Sequence, residues 1–236
     1  MEEGDLPYYH AVFIMQKLAD ALDHIWYDHG MVHRDIKPGN FIWTDQGEVK
    51  LDGFRFSARA EDLIPGDEIV GSPPYLSPEI VLGAPVDVRS DLYSLGASFY
   101  HCMTGTLPFM ANTPQEVAFM HIDAPLTPPD HINSQIPVSV SAVIQKLMAK
   151  NPEDRYQDPR ELSDALKNNI FILKDVDKIL YKKNIGWQIK LIDNNCIFLP
   201  IKKLDKLIKM FENISNSDLY DRFSFFDFRI IGRVYM

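Results

Sequence analysis

The chain has 236 residues, 46% apolar and 24% charged, ordinary globular values that exclude disordered and fibrous classes. Its net charge of −9 comes without a clustered basic stripe, which argues against a nucleic-acid partner, because phosphate binding needs grouped Lys and Arg. Cys102 and Cys196 match no metal or redox spacing and read as free thiols suited to a reducing cytoplasm, and the seven histidines never pair at ligand spacing.

The acidic start, Met1-Glu-Glu-Gly-Asp, lacks the layout of a signal peptide. No stretch is long and apolar enough for a membrane span, so none is expected. Charge divides the sequence: residues 1–169 hold 12 basic and 25 acidic side chains, and residues 170–236 hold 12 and 8. This places a domain junction near 170.

Ile14, Leu18, Leu22 and Ile25 recur at helical spacing before Gly30, which predicts an amphipathic helix over 10–29. Phe41-Ile-Trp43 and Val49-Lys-Leu51 flank the turn composition Asp45-Gln-Gly47 and predict a small β-hairpin. The stretches from Pro73 to Pro78 and from Pro125 to Pro137 are expected to be loops, because proline breaks helix interiors. Helices are predicted over 90–104, 114–121, 138–149 and 159–168. In the tail, Trp187, Ile189 and Leu191 alternate with polar residues as a strand, and Asp193-Asn-Asn195 turns it towards Cys196–Leu199. A helix carrying Leu204, Leu207, Ile208, Phe211 and Ile214 and a closing strand over Phe223–Ile231 complete a ββαβ unit. The fold class is therefore α+β: a mainly helical first domain with a β-hairpin, then a small accessory module.

The run His33-Arg34-Asp35-Ile36-Lys37-Pro38-Gly39-Asn40 matches the catalytic loop H-R-D-x-K-x-x-N of protein kinases. Phosphoryl transfer needs a carboxylate for the substrate hydroxyl proton, a cation near the γ-phosphate and a neutral oxygen for magnesium. Asp35, Lys37 and Asn40 offer these in turn, and the Lys two places after the Asp is the serine/threonine form. Further features follow in the family's order. Gly71-Ser-Pro-Pro-Tyr-Leu-Ser-Pro-Glu79 is similar to the end of an activation segment, with Ser72 where a Thr usually contacts the catalytic Asp and Lys. Ser90-Asp91-Leu-Tyr-Ser-Leu-Gly96 is similar to the helix whose buried Asp holds the catalytic loop. Arg155 matches the Arg that pairs with Glu79 of the A-P-E position.

Residues 1–169 thus resemble the C-terminal lobe of a bacterial PknB-like serine/threonine kinase. The resemblance implies ATP and Mg2+ as cofactors, a protein substrate or partner chain, and structural roles for His33, Arg34, Glu79, Asp91 and Arg155. Two departures stand out. The magnesium-binding D-F-G falls in register on Gly53-Phe54-Arg55, with Asp52 one position early and aimed to the opposite face unless the strand slips. The Gly-rich loop and V-A-I-K lysine of an N-lobe are expected upstream of the catalytic loop and do not occur there. An uncovered N-lobe face is expected to expose apolar surface around Met1–Val12 and Phe54, inviting self-association or covering by the tail.

Asp62, Asp67 and Glu68 occupy the place of a phosphorylated Thr, as a solvated acidic loop or as permanent partners of Arg34. The tail, from Gly186-Trp-Gln-Ile-Lys-Leu to Phe226-Asp-Phe-Arg-Ile-Ile-Gly-Arg-Val-Tyr235, resembles the end of an FtsQ-type cell-division protein, against a generic accessory module. The expected function is that of a kinase-type catalytic lobe, impaired as this isolated chain. The alternatives are a pseudokinase interaction module or a composite or truncated fragment.

Overall fold

The computed structural model describes residues 8–169 except 45 and 67, and beyond them the strands at 176–182, 186–191, 196–199, 225–227 and 234–235. The chain divides into two compact units, Met1–Ile42 with Val49–Asn169, and Trp43–Glu48 with Ile170–Met236.

In the first unit, helix α1 (Tyr8–His29) buries Ala11, Val12, Met15, Leu18, Ala19 and Leu22 to 1% exposure or less. Each large apolar side chain removed from water in this way contributes about 1.5–3 kcal/mol. Gly30 ends the helix at φ 62°, its N–H donating to Trp26 O, because a left-handed stop suits a residue without a Cβ. The polypeptide then forms β1 (Met31–Val32), the loop 33–40, and the hairpin strands β2 (Phe41–Trp43) and β3 (Val49–Leu51). β1 pairs antiparallel with β4 (Ala58–Arg59), a contact between segments too short to show periodicity.

Helices α2 (Pro78–Leu82), α3 (Val88–Thr104), α4 (Pro114–Asp123), α5 (Pro129–Ile132), α6 (Val138–Leu147) and α7 (Pro159–Asn169) follow. Central α3 buries Val88, Leu92, Tyr93, Leu95, Ala97, Phe99, Tyr100 and Met103 together with polar Ser90, Asp91, Ser94 and Ser98. Asp87 caps it by accepting from Arg89 N. Gly96 lies where α3 meets α6: a Cβ there would stand 2.7 Å from Leu147 Cβ.

The expectation that both proline-rich stretches are loops needs correction. Pro73–Tyr75 is a turn of 3-10 helix, and Pro78 and Pro129 open α2 and α5. Proline is well tolerated in a first helical turn, where its missing N–H has no intrahelical partner.

In the second unit, β5 (Val176–Lys182), β6 (Gly186–Leu191), β7 (Cys196–Leu199), β8 (Phe225–Asp227) and β9 (Val234–Tyr235) form one sheet in that order. β7 and β8 are parallel and the other pairs antiparallel. β6 and β7 fall where alternation placed them, β8 covers only part of the expected closing strand, and β5 and β9 are additional strands. The helix expected through Leu204 and Ile214 lies outside the described residues.

The expected apolar exposure is corrected in part. Phe54 is 46% exposed, but Ala11 and Val12 are fully buried, and residues 1–7 lie outside the described set.

Candidate active site

The loop 33–40 is held from behind by Asp91 of α3, which is 1% exposed. Its Oδ2 accepts from His33 N at 2.7 Å and its Oδ1 from Arg34 N at 2.8 Å. Burial pushes the Asp91 carboxyl up to about 7, against the lowering effect of those two main-chain donors. Arg34 has φ 66°, a left-handed conformation that costs a residue with a Cβ about 1–3 kcal/mol. The bond to Asp91 and that from Arg34 Nε to Phe56 O, at 2.6 Å, hold the backbone in it.

His33 is fully buried and its ring joins two segments. Nδ1 accepts from Asp35 N at 3.2 Å, so Nε2 carries the proton and donates to Asp52 O at 3.0 Å. Burial lowers its pKa, which favours this neutral form. Phe54 packs edge-on against the ring, with centroids 4.8 Å apart.

In front of this support stand Asp35, Lys37, Asn40 and Ser72. Asp35 Oδ2 lies 2.7 Å from Lys37 Nζ, and its Oδ1 accepts from Ser72 Oγ at 2.8 Å. Lys37 Nζ also donates to Ser72 Oγ at 2.9 Å. Asn40 Nδ2 donates to Asp35 O at 2.7 Å and reaches Asp35 Oδ2 at 3.3 Å. Asp35 is 7% exposed. Charge-assisted hydrogen bonds of this kind are roughly twice as strong as neutral ones, which fixes the carboxylate's orientation.

Glu79 and Arg155 meet away from this cluster. The guanidinium donates to Glu79 Oε1 and Oε2 at 2.7 and 2.8 Å, and to the carbonyls of Arg89, Ala149 and Lys150. All five of its N–H donors are therefore used. Burial pushes the Glu79 carboxyl upward, but Arg155 and Ser90 Oγ, at 2.5 Å, outweigh that and hold it below the usual carboxylate range.

The donor set for magnesium is incomplete among the described residues, where no cluster of three or more acidic, histidine or cysteine side chains occurs. Asp52 is pinned by both main-chain groups, its N–H to Asn40 O at 2.9 Å and its O to His33, which opposes a slip of register. Its carboxylate turns back to accept from Gly53 N at 2.7 Å. Gly53, at φ 88°, faces Asn40: a Cβ there would stand 2.4 Å from Asn40 Nδ2 and 2.8 Å from Oδ1. Asn40 Oδ1 is a single uncharged oxygen, which does not make the carboxylate-bearing site that Mg2+ prefers.

Of the acidic residues weighed as partners of Arg34, Glu68 lines a cleft that Arg34 also lines, with Leu63, Ile69, Ile80 and Val86, and Asp67 lies outside the described residues. Sequence reasoning missed the support Ser57, whose hydroxyl donates to His33 O, while Ser98 gives its one proton to Ser94 O at 2.8 Å and only lies near Ile36 O. A lone serine carries no pattern that would have exposed it. Among the described residues no helix is long and apolar enough to cross a membrane.

Comparison with known proteins gives the same direction. The protein kinase domain family matches residues 2–171. A probable serine/threonine-protein kinase of Clostridium perfringens is 38% identical over 186 residues, covering 78% of this chain and 26% of the relative. One from Clostridium acetobutylicum is 36% identical over 169 residues, with 71% and 26% covered. The serine/threonine-protein kinase PknB of Mycobacterium leprae is 36% identical over 163 residues, with 68% and 26% covered. The chain thus spans about a quarter of the length of these relatives. The motif order, the supported catalytic loop and these matches together identify the chain as a member of the protein kinase family, of the bacterial PknB-like serine/threonine type.

Proposed function

We propose that this chain is the catalytic-loop lobe of a serine/threonine protein kinase, serving transfer of the ATP γ-phosphoryl group to Ser or Thr hydroxyls of a protein. The observation that carries the reading is the hydrogen-bond count at Asp35. A carboxylate offers about four acceptor positions, and Ser72, Lys37 and Asn40 occupy three. The remaining one accepts a substrate hydroxyl proton. Lys37 spends two of its three N–H donors on Asp35 and Ser72, which leaves one for phosphoryl oxygen. Ser72 positions both groups, and His33, Arg34 and Asp91 support the loop as Glu79 and Arg155 support the activation segment. Catalysis of this kind is positioning plus electrostatics, so activity requires the nucleotide-covering half of the site in addition to these residues.

A second reading is a non-catalytic pseudokinase that binds a partner protein. Gly53 favours it, since the register position of the metal carboxylate carries no side chain. We further read residues 1–169 as the kinase lobe and 170–236 as a small α+β accessory module of ββαβ core, in a cytoplasmic setting where ATP is available. Self-association through the exposed Phe54 is part of the same proposal.

The test is phosphate transfer from radiolabelled ATP to a generic Ser/Thr protein. It compares the chain alone, the chain joined to the N-lobe of a related kinase, and the joined form carrying Asp35→Asn. Transfer by the joined form that Asp35→Asn abolishes supports the kinase reading. A folded joined form without transfer favours the pseudokinase.

A further inference from the structure

The activation segment and α2 with the chain that follows it enclose a cleft, lined by Leu63, Ile64, Ile69 and Val70 from the first and by Ile80 and Val86 from the second. The two walls approach backbone to backbone, since a Cβ on Gly83 would stand 3.3 Å from Gly66 Cα. Main chain therefore sets the cleft, and it is in place before anything enters it. Its apolar surroundings are open to solvent: Ile64 is 67% exposed and Ile69 52%, and Leu82, beside Gly83, is 61% exposed. Large exposed apolar side chains gathered in this way mark an interaction surface.

The charge around it is one-sided. Residues 60–88 include no Lys, Arg or His. Asp62 and Glu68 are exposed carboxylates with no ion pair among the described residues, while Glu61 is paired with Arg59 at 3.4 Å. Arg34, the one cation lining the cleft, gives its Nε–H to Phe56 O at 2.6 Å. A second copy docking by the same face would set these carboxylates against one another, which is repulsive. We propose that the cleft docks a segment of a partner protein in which Lys or Arg alternates with large apolar residues, the apolar side chains entering the cleft and the cations meeting Glu68 and Asp62. Burial of the apolar side chains supplies the affinity, and the carboxylates select the partner. Docking of this kind uses neither Asp35 nor Lys37, so it stands or falls apart from the phosphoryl-transfer reading.

The test is fluorescence anisotropy of short labelled peptides of alternating Leu and Lys, Leu and Glu, or Ser and Lys, titrated with the full chain. The Leu–Lys peptide is expected to bind about tenfold tighter than either of the others. Glu68→Lys should weaken it by about three- to tenfold and Ile69→Ser by about fivefold. Asp164→Lys, the same charge change at an exposed position of α7, should leave it unaltered. Absence of binding, equal binding of the Ser–Lys peptide, or an equal loss on Asp164→Lys overturns the proposal. Hydrogen exchange of the unmodified chain with the Leu–Lys peptide should slow within 61–70 and 80–86. It decides without any variant, and protection elsewhere alone overturns the proposal. Sedimentation in which Ile69→Ser converts a dimer into a monomer overturns it in favour of a second copy.

Discussion

Arg155 and Glu79, 76 positions apart, face each other through two parallel hydrogen bonds of 2.7 and 2.8 Å with side chains only 0% and 7% exposed. Removing one partner strands a buried charge, which costs about 3–5 kcal/mol. Glu79→Ala and Arg155→Met are each expected to lower stability by that amount in urea denaturation, and the double variant by less than their sum. Additive losses would show that the two side chains act independently.

Asp91 presents one oxygen to each of two main-chain donors. Asp91→Asn keeps one acceptor and turns an NH2 group against the other N–H, leaving a buried donor unsatisfied at a cost of about 1–3 kcal/mol. Amide hydrogen exchange at residues 33 and 34 is expected to speed up at least tenfold, while α7 is unchanged. Unaltered exchange at the loop would remove the supporting role given to this carboxylate.

Stability should fall as pH drops below about 6.5. Burial lowers His10 to about 3 and His121 to about 4, so the unfolded chain takes up two protons below 6.5 that the folded chain refuses until far lower. Asp91, raised to about 7, takes up one in the folded state over the same range and offsets one of them. The net difference of one proton gives about 1.4 kcal/mol of lost stability per pH unit between 6 and 4.5. His33 and His101, also lowered by burial, act in the same direction. The slope of unfolding free energy against pH checks this, and His121→Gln should flatten it.

Two small substitutions should move stability against ordinary expectation. Gly96→Ala would gain roughly 1 kcal/mol from helix propensity alone, yet the new methyl would meet Leu147 Cβ at 2.7 Å and Met148 Cγ at 3.0 Å. A net loss of about 1–3 kcal/mol is expected from overpacking.

Ser77, fully buried, has a hydroxyl with no hydrogen-bond partner among the described residues. Ser77→Ala is expected to raise stability by about 1 kcal/mol, because an unsatisfied buried hydroxyl carries a desolvation penalty. Thermal unfolding distinguishes both predictions by sign.

Lineage, and the elements whose causes are local, can be read along the chain. The run His33–Asn40, the helical spacing from Ile14 to Ile25 and the alternation from Trp187 to Leu191 are covalently adjacent patterns, and each was legible before any coordinates. What depends on approach through space became visible in the folded molecule. The overlap between position 53 and the Asn40 amide and the serine support at 57 belong to pairs of segments whose separation no spacing rule encodes. The same holds for α2 and α5, where proline reads as a breaker along the chain but serves as a first-turn residue once packing gives the short helix a partner. A motif fixes which atoms are available, and packing fixes which of them meet.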